Sequence, residues 1–127
     1  MKYLCLLYDD ETEWERMSQE EMDAVFGEHM TFSDSHSASG HILGGEALQP
    51  STTATTIRVR NGRLSTTDGP FVESKEQLGG YYLLDAKDLN EAIQIASKIP
   101  SARSGAIEVR PVMDVMNPTD ATTTASG

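Results

Sequence analysis

Apolar positions along this chain fall into blocks with two different periods. Residues 2–8 are apolar on both alternating sets, Tyr3, Cys5 and Leu7 against Leu4, Leu6 and Tyr8. A strand covered on both faces reads this way, which predicts a central place in a sheet. The acidic stretch 9–16, with Trp14 inside it, reads as a loop. Ser18 and Glu21 then stand at capping-box spacing, the serine accepting from the third amide and the glutamate reaching back. Met22, Val25, Phe26 and Met30 follow at helical spacing, so a helix is predicted over 19–38, closed by Gly40.

Residues 41–48 read as a second strand, in which Gly44-Gly45 marks a bulge or a close backbone approach. Residues 50–53 read as a loop. Asn61-Gly62 lies between Ile57-Arg58-Val59-Arg60 and Arg63-Leu64-Ser65-Thr66. Both residues of a two-residue type I′ turn need positive φ, which predicts a hairpin pairing Val59 with Leu64 and Ile57 with Thr66. Arg58, Arg60 and Arg63 then share the other face. Residues 80–85 read as a strand. Asp88 caps a helix carrying Leu89, Ala92, Ile93, Ala96 and Ile99, with Glu91 placed as in a capping box and Pro100 at its end. Residues 106–112 make a last strand.

The order β-α-β, hairpin, β-α-β is that of a ferredoxin-like α+β fold: an antiparallel sheet with two helices on one face and an inserted β-hairpin. Two helices cover one face only, whereas residues 2–8 ask for cover on both. The second cover is expected to be another copy of the chain, in a two-fold homodimer. One domain spans 1–116, and the polar tail 117–127 is predicted to be disordered.

Charge narrows the partners. Twenty acidic residues against ten basic give a net charge of −10. Nucleic acid and anionic membrane surfaces both need clustered positive charge, so neither is an expected partner. No apolar run approaches the ~20 residues of a spanning helix. The N-terminal apolar run enters Asp9-Asp10-Glu11 without a small-residue cleavage site, and the expected location is cytoplasmic. Cys5 is the single cysteine, so no intrachain disulfide is available; mid-strand, it reads as a small buried hydrophobe before it reads as a nucleophile.

The chemistry-bearing stretch is 68–82, Asp-Gly-Pro-Phe-Val-Glu-Ser-Lys-Glu-Gln-Leu-Gly-Gly-Tyr-Tyr, which packs tight turns and four charges between strands. Asp68 either bonds its own turn backbone or lines a cleft as a carboxylate. Lys75 belongs to a solvated rim or holds an anionic group. Tyr81 and Tyr82 point to opposite faces, one into core or dimer contact and one with its hydroxyl free for a pocket. The arginines, Arg58 included, make a solvated face or capture a carboxylate or phosphate. His29 lies on the helix stripe, either a hydrogen-bonded residue at the core edge or a general acid/base. His36 is two turns beyond it, ~10 Å along the axis, too far to share one ion with it through bonds of ~2 Å. No metal site and no cofactor motif is expected.

The run Thr67 to Tyr82, with Gly40–Leu48, Ala54–Arg58, Asp88-Leu89, Glu91-Ala92-Ile93, Ile99-Pro100 and Glu108–Val112, resembles the YCII-related proteins, and within them the branch named for its Asp-Gly-Pro-Phe (DGPF) motif. The likeness covers roughly residues 1–113. It implies a ferredoxin-like fold assembling as a dimeric α/β barrel. It also implies a helix histidine facing a cleft, here His29, paired in the better-studied branch with an aspartate that finds no matching position in this sequence. Members of this branch often lie near extracytoplasmic-type sigma factors, which implies a functional link to transcription. The combined expectation is a small-molecule protein. Its cleft lies between the first helix and the Asp68–Gly80 loop, with His29 moving a proton, Asp68 orienting it, and Lys75, Tyr82 and Arg58 touching an unidentified ligand. The alternative is a non-catalytic ligand-binding or regulatory dimer.

Overall fold

The computed structural model describes residues 1–116. Their order is β1 (Lys2–Asp9), α1 (Glu11–Arg16), α2 (Gln19–Ala38), β2 (Ile42–Ala47), β3 (Thr55–Arg60), β4 (Arg63–Asp68), β5 (Gln77–Asp85), α3 (Leu89–Ala96), α4 (Ser101–Ser104) and β6 (Ala106–Pro111), with one 3-10 turn at Ser51–Thr53. Four strands pair antiparallel in the order β2-β5-β1-β6, and β3-β4 form a separate two-stranded ribbon. This is the ferredoxin-like α+β arrangement with its inserted hairpin. The expected tail, 117–127, lies outside the described residues.

The register sorts the side chains. Tyr3 opposes Leu84 and Cys5 opposes Tyr82, so these point to the helix side. There Tyr3, Cys5, Leu7 and Leu84 meet Phe32 of α2 and Ala92, Ile95, Ala96 and Ile99 from α3 and the turn after it. Burial pushes the Cys5 thiol up to about 11, which keeps it an inert thiol. On the opposite side Leu4 pairs with Leu83 and Leu6 with Tyr81, all only half-buried in the single chain. The doubly apolar pattern of β1 is therefore satisfied on one face and left open on the other.

Several details depart from the pattern reading. Residues 11–16 are helical rather than a loop, because Asp10 caps them: its carboxylate accepts from the Thr12 N–H at 2.9 Å and the Thr12 hydroxyl at 2.6 Å. Residues 51–53 turn in 3-10 fashion, and Glu11 holds them there by accepting from Ser51 N–H and Oγ. The second long helix ends at Ala96, and Pro100 opens α4 instead of simply stopping the chain. Phe26 and Met30, expected on the sheet-facing stripe of α2, are exposed, and Phe26 packs on Trp14 with ring centroids 5.6 Å apart. The hairpin has the expected register, with Asn61 at φ 52° and Gly62 at φ 74°. Among the described residues no helix is long and apolar enough to cross a membrane.

Candidate functional site

The entry to α2 sets the phase of everything on it. Ser18 Oγ accepts from the Glu21 N–H at 3.1 Å and Glu21 Oε1 accepts from the Ser18 N–H at 3.3 Å, a complete capping box. With that phase, Met22, Val25, His29, Phe32 and His36 are among the least exposed residues of the helix. Two of the five are histidines, an unusual load for a sheet-facing stripe.

His29 Nδ1 lies 3.1 Å from Tyr82 Oη, and the two rings are within 22° of parallel. Phe32 meets the same tyrosine edge-on at 5.1 Å. Tyr82 opposes Gly45 across the β2-β5 pairing, and a Cβ at Gly45 would come within 2.8 Å of the tyrosine ring and 2.7 Å of the Tyr81 carbonyl. Glycine is required there because the ring lies over the β2 backbone. The register shift at Ile42/Gly44 adds the bulge, so both readings of Gly44-Gly45 hold.

Burial lowers the His29 pKa below the 6.5 of a free imidazole, and the charges of Asp9 and Glu28 pull it partly back. Burial raises Tyr82, so its hydroxyl keeps its proton near neutrality. Asp9 ends β1, and its Oδ1 accepts from Ser104 Oγ at 2.6 Å. Glu28 is also ion-paired with Arg103 on the surface. Among the described residues His29 Nε2 has no protein partner.

The other expected site residues are spread along the hairpin and its loop. Asp68 ends β4 opposite Thr55, exposed, and its carboxylate makes no hydrogen bond or ion pair among the described residues; neither the turn contact nor the contact with His29 is formed. Arg58 lies over the Phe71 ring, 4.9 Å from its centroid, and does not reach His29 or Tyr82. Lys75 comes within electrostatic reach of Asp10, a small addition to the Thr12 hydrogen bonds that lower that carboxyl. The loop does return to the end of β1. Gln77 pairs with Asp9, and its Oε1 accepts from the Glu11 N–H at 3.0 Å. Sequence reasoning did not link the charge of Asp9 to His29; an acid closing a strand apolar on both sides was the available signal.

Two surface grooves flank α2 on its side toward α3. One of about 330 Å³ is lined by His36, His41 and Glu91 among others, and one of about 600 Å³ by Phe32, His36 and Lys98 among others. Neither includes His29. His41 Nε2 lies 3.4 Å from Glu91 Oε1, and the same oxygen accepts from the Lys87 N–H at 3.1 Å, which ties the start of β2 to the start of α3. Among the described residues no group of three or more histidine, cysteine or acidic side chains is arranged to hold a metal ion.

A four-stranded antiparallel sheet in this order, with a capped helix resting a half-buried histidine on a sheet tyrosine, defines a ferredoxin-like α+β protein. The chain belongs to the YCII-related family, whose domain model matches residues 1–116. It is 36% identical over 114 residues to an uncharacterised protein of Rhizobium meliloti (strain 1021), covering 88% of this chain and 92% of that protein. Its fold is similar to that of 5-chloro-2-hydroxyhydroquinone dehydrochlorinase from Burkholderia phenoliruptrix AC1100, solved in complex with 2,5-dihydroxybenzoquinone. The TM-score is 0.50 at 14% identity, over 87% of this chain and 91% of that one. At that identity the likeness is one of fold.

Proposed function

We propose that the protein is an enzyme in which His29 transfers a proton to or from a small organic acid, working as a two-fold dimer. One observation carries the reading: a half-buried imidazole whose Nδ1 is committed to Tyr82 while Nε2 has no partner among the described residues. A hydroxyl is a versatile partner for such a ring. When the Nδ1–H donates to Tyr82 Oη, Nε2 is a free base; when the Tyr82 O–H donates to Nδ1, Nε2 carries the proton. The lowered pKa keeps the ring neutral at physiological pH, the state a general base needs. Asp9 and Glu28 stabilise the imidazolium that forms once a proton is taken.

Asp9 acts on His29 through its charge alone, whereas Asp68 was expected to orient the ring. Of the expected ligand contacts, Tyr82 is the one that touches His29, and Lys75 comes within electrostatic reach of Asp10, next in sequence to Asp9. Elimination is a reaction class that fits, since it starts with removal of a proton by a base. The dehydrochlorination named for the structural neighbour is of that class, and a hydroxyquinone is a reasonable first probe. The open sheet face of Leu4, Leu6, Tyr81 and Leu83 supports the dimer, because a contiguous apolar surface of this kind marks a protein contact.

The test titrates 2,5-dihydroxybenzoquinone and a panel of small enolisable keto acids against the protein, following the His29 ring protons by NMR and turnover by product formation. Binding that shifts the His29 signals is expected, with turnover falling about 10²–10⁴-fold in His29→Ala. Ligands that bind and leave His29 unmoved, or turnover that persists in His29→Ala, overturn the assignment.

A further inference from the structure

We propose that the β3-β4 ribbon is an arm that docks on a second copy of this chain, against the acidic α1-α2 corner that carries Phe26 and Met30. The inference rests on two surfaces that neither the fold nor the histidine site uses, and it does not depend on what His29 does.

The first surface is the ribbon. Among the described residues it pairs with no other strand, and a lone two-stranded ribbon is marginal in water. Its alternation sets Ile57, Val59 and Leu64 together on one face, exposed by 62%, 57% and 67%. Three large apolar side chains in register on one face make a patch, unlike scattered exposed ones. Arg60 and Arg63 flank the turn at the tip. Between residues 55 and 68 the chain carries three arginines and one acid, Asp68. Arg58 is occupied by Phe71, and Arg60 donates to the carbonyl of Val59 beside it at 3.0 Å. The ion pairs among the described residues, Met1 with Asp85, His41 with Glu91 and Arg103 with Glu28, leave the ribbon out.

The second surface is the corner of α1 and α2. Between residues 9 and 28 nine acidic side chains stand against a single base, Arg16. In their midst Phe26 is 49% exposed and Met30 65%, one helical turn apart, with Trp14 stacked on Phe26. Asp23 lies one turn before Phe26 and Asp34 one turn after Met30 on the same flank. The two surfaces thus match in kind, apolar patch to apolar patch and basic tip to acidic surround. Opposite charge steers and registers such contacts. The chain does not close the pair upon itself: both patches remain exposed. A second copy supplies each surface with its complement, and two reciprocal arms close a two-fold assembly without leaving either patch open.

The contact is distinct from the open sheet face, so substitutions separate them. In a Cys5→Ala background, chains bearing Leu64→Cys are mixed with chains bearing Met30→Cys and oxidised at micromolar concentration. The mixed disulfide is expected to form severalfold faster than that between Leu64→Cys chains and a control carrying Gln94→Cys on α3. Val59→Asp with Leu64→Asp is expected to weaken association at least about tenfold by sedimentation, and so is Arg60→Glu with Arg63→Glu at low salt. All four side chains are exposed, and circular dichroism verifies that the variants fold. Equal cross-linking of target and control, or an assembly that survives both double substitutions while Leu6→Asp disperses it, overturns the proposal. Retention of the ribbon on another molecule by monomeric protein also counts against it.

Discussion

The two main helices solve the same packing problem with opposite sequences. α3 sets Ala92, Ile95 and Ala96 on the sheet, and Ile99 follows in the turn beyond; all four are buried. α2 is more than twice as long and buries one residue, Phe32, while two histidines share its inner stripe and Phe26 and Met30 lie off it. α3 has what a core needs and little else. α2 is held by its cap and by one aromatic anchor, and the positions it does not spend on packing are polar groups facing a sheet. Buried apolar contacts are concentrated under α3, and half-buried polar side chains under α2.

Substitutions sharpen this contrast, from the largest effect downward. Ile95→Ala removes a buried side chain from the α3 side and is expected to cost about 2–5 kcal/mol, visible as an earlier urea midpoint. Ser18→Ala removes the hydroxyl that opens α2 and is expected to cost about 0.5–2 kcal/mol in the same assay. Met30→Ala, on the exposed flank of α2, is expected to stay within roughly 0.5 kcal/mol of the wild-type chain under monomeric conditions. A loss at Met30 as large as that at Ile95 would erase the distinction.

Acid separates the helices in another way. His29 has a lowered pKa in the folded chain, so below 6.5 the unfolded chain binds the proton more readily than the folded one. Its contribution to stability is complete above 6.5 and is lost as pH falls through the folded value. The pH slope of the urea midpoint in that window is expected to flatten in His29→Gln, and an unchanged slope would contradict the burial of the ring.

What was legible beforehand followed from strong local rules. Asn61-Gly62 fixed the register of its hairpin because few other residues accept positive φ at both places. The caps at Ser18 and Asp88 and the buried face of α3 were plain for the same reason, each being set within a turn or two of chain. The α2 stripe was harder. Met22, Val25, His29 and Phe32 form one line at helical spacing, and Phe26 and Met30 form a second beside it. Spacing says which residues share a line; only packing against the sheet says which line turns inward. α1 was missed because Glu11–Arg16 has one apolar residue, Trp14, and owes its shape to the Asp10 cap. The charge of Asp9 acts on His29 across twenty residues of chain, a long-range effect that no local spacing announces. Asp68 was expected opposite His29 from its place in the motif, and its exposed carboxylate makes no contact with the ring among the described residues.

The pairing of His29 with Tyr82 is tested most directly by an NMR titration of the His29 ring in the wild-type chain and in Tyr82→Phe. The expected result is a midpoint below 6.5 in the wild type and a changed midpoint when the hydroxyl alone is removed. A ring that titrates at or above 6.5, the same in both chains, would show it to be solvated and unpartnered.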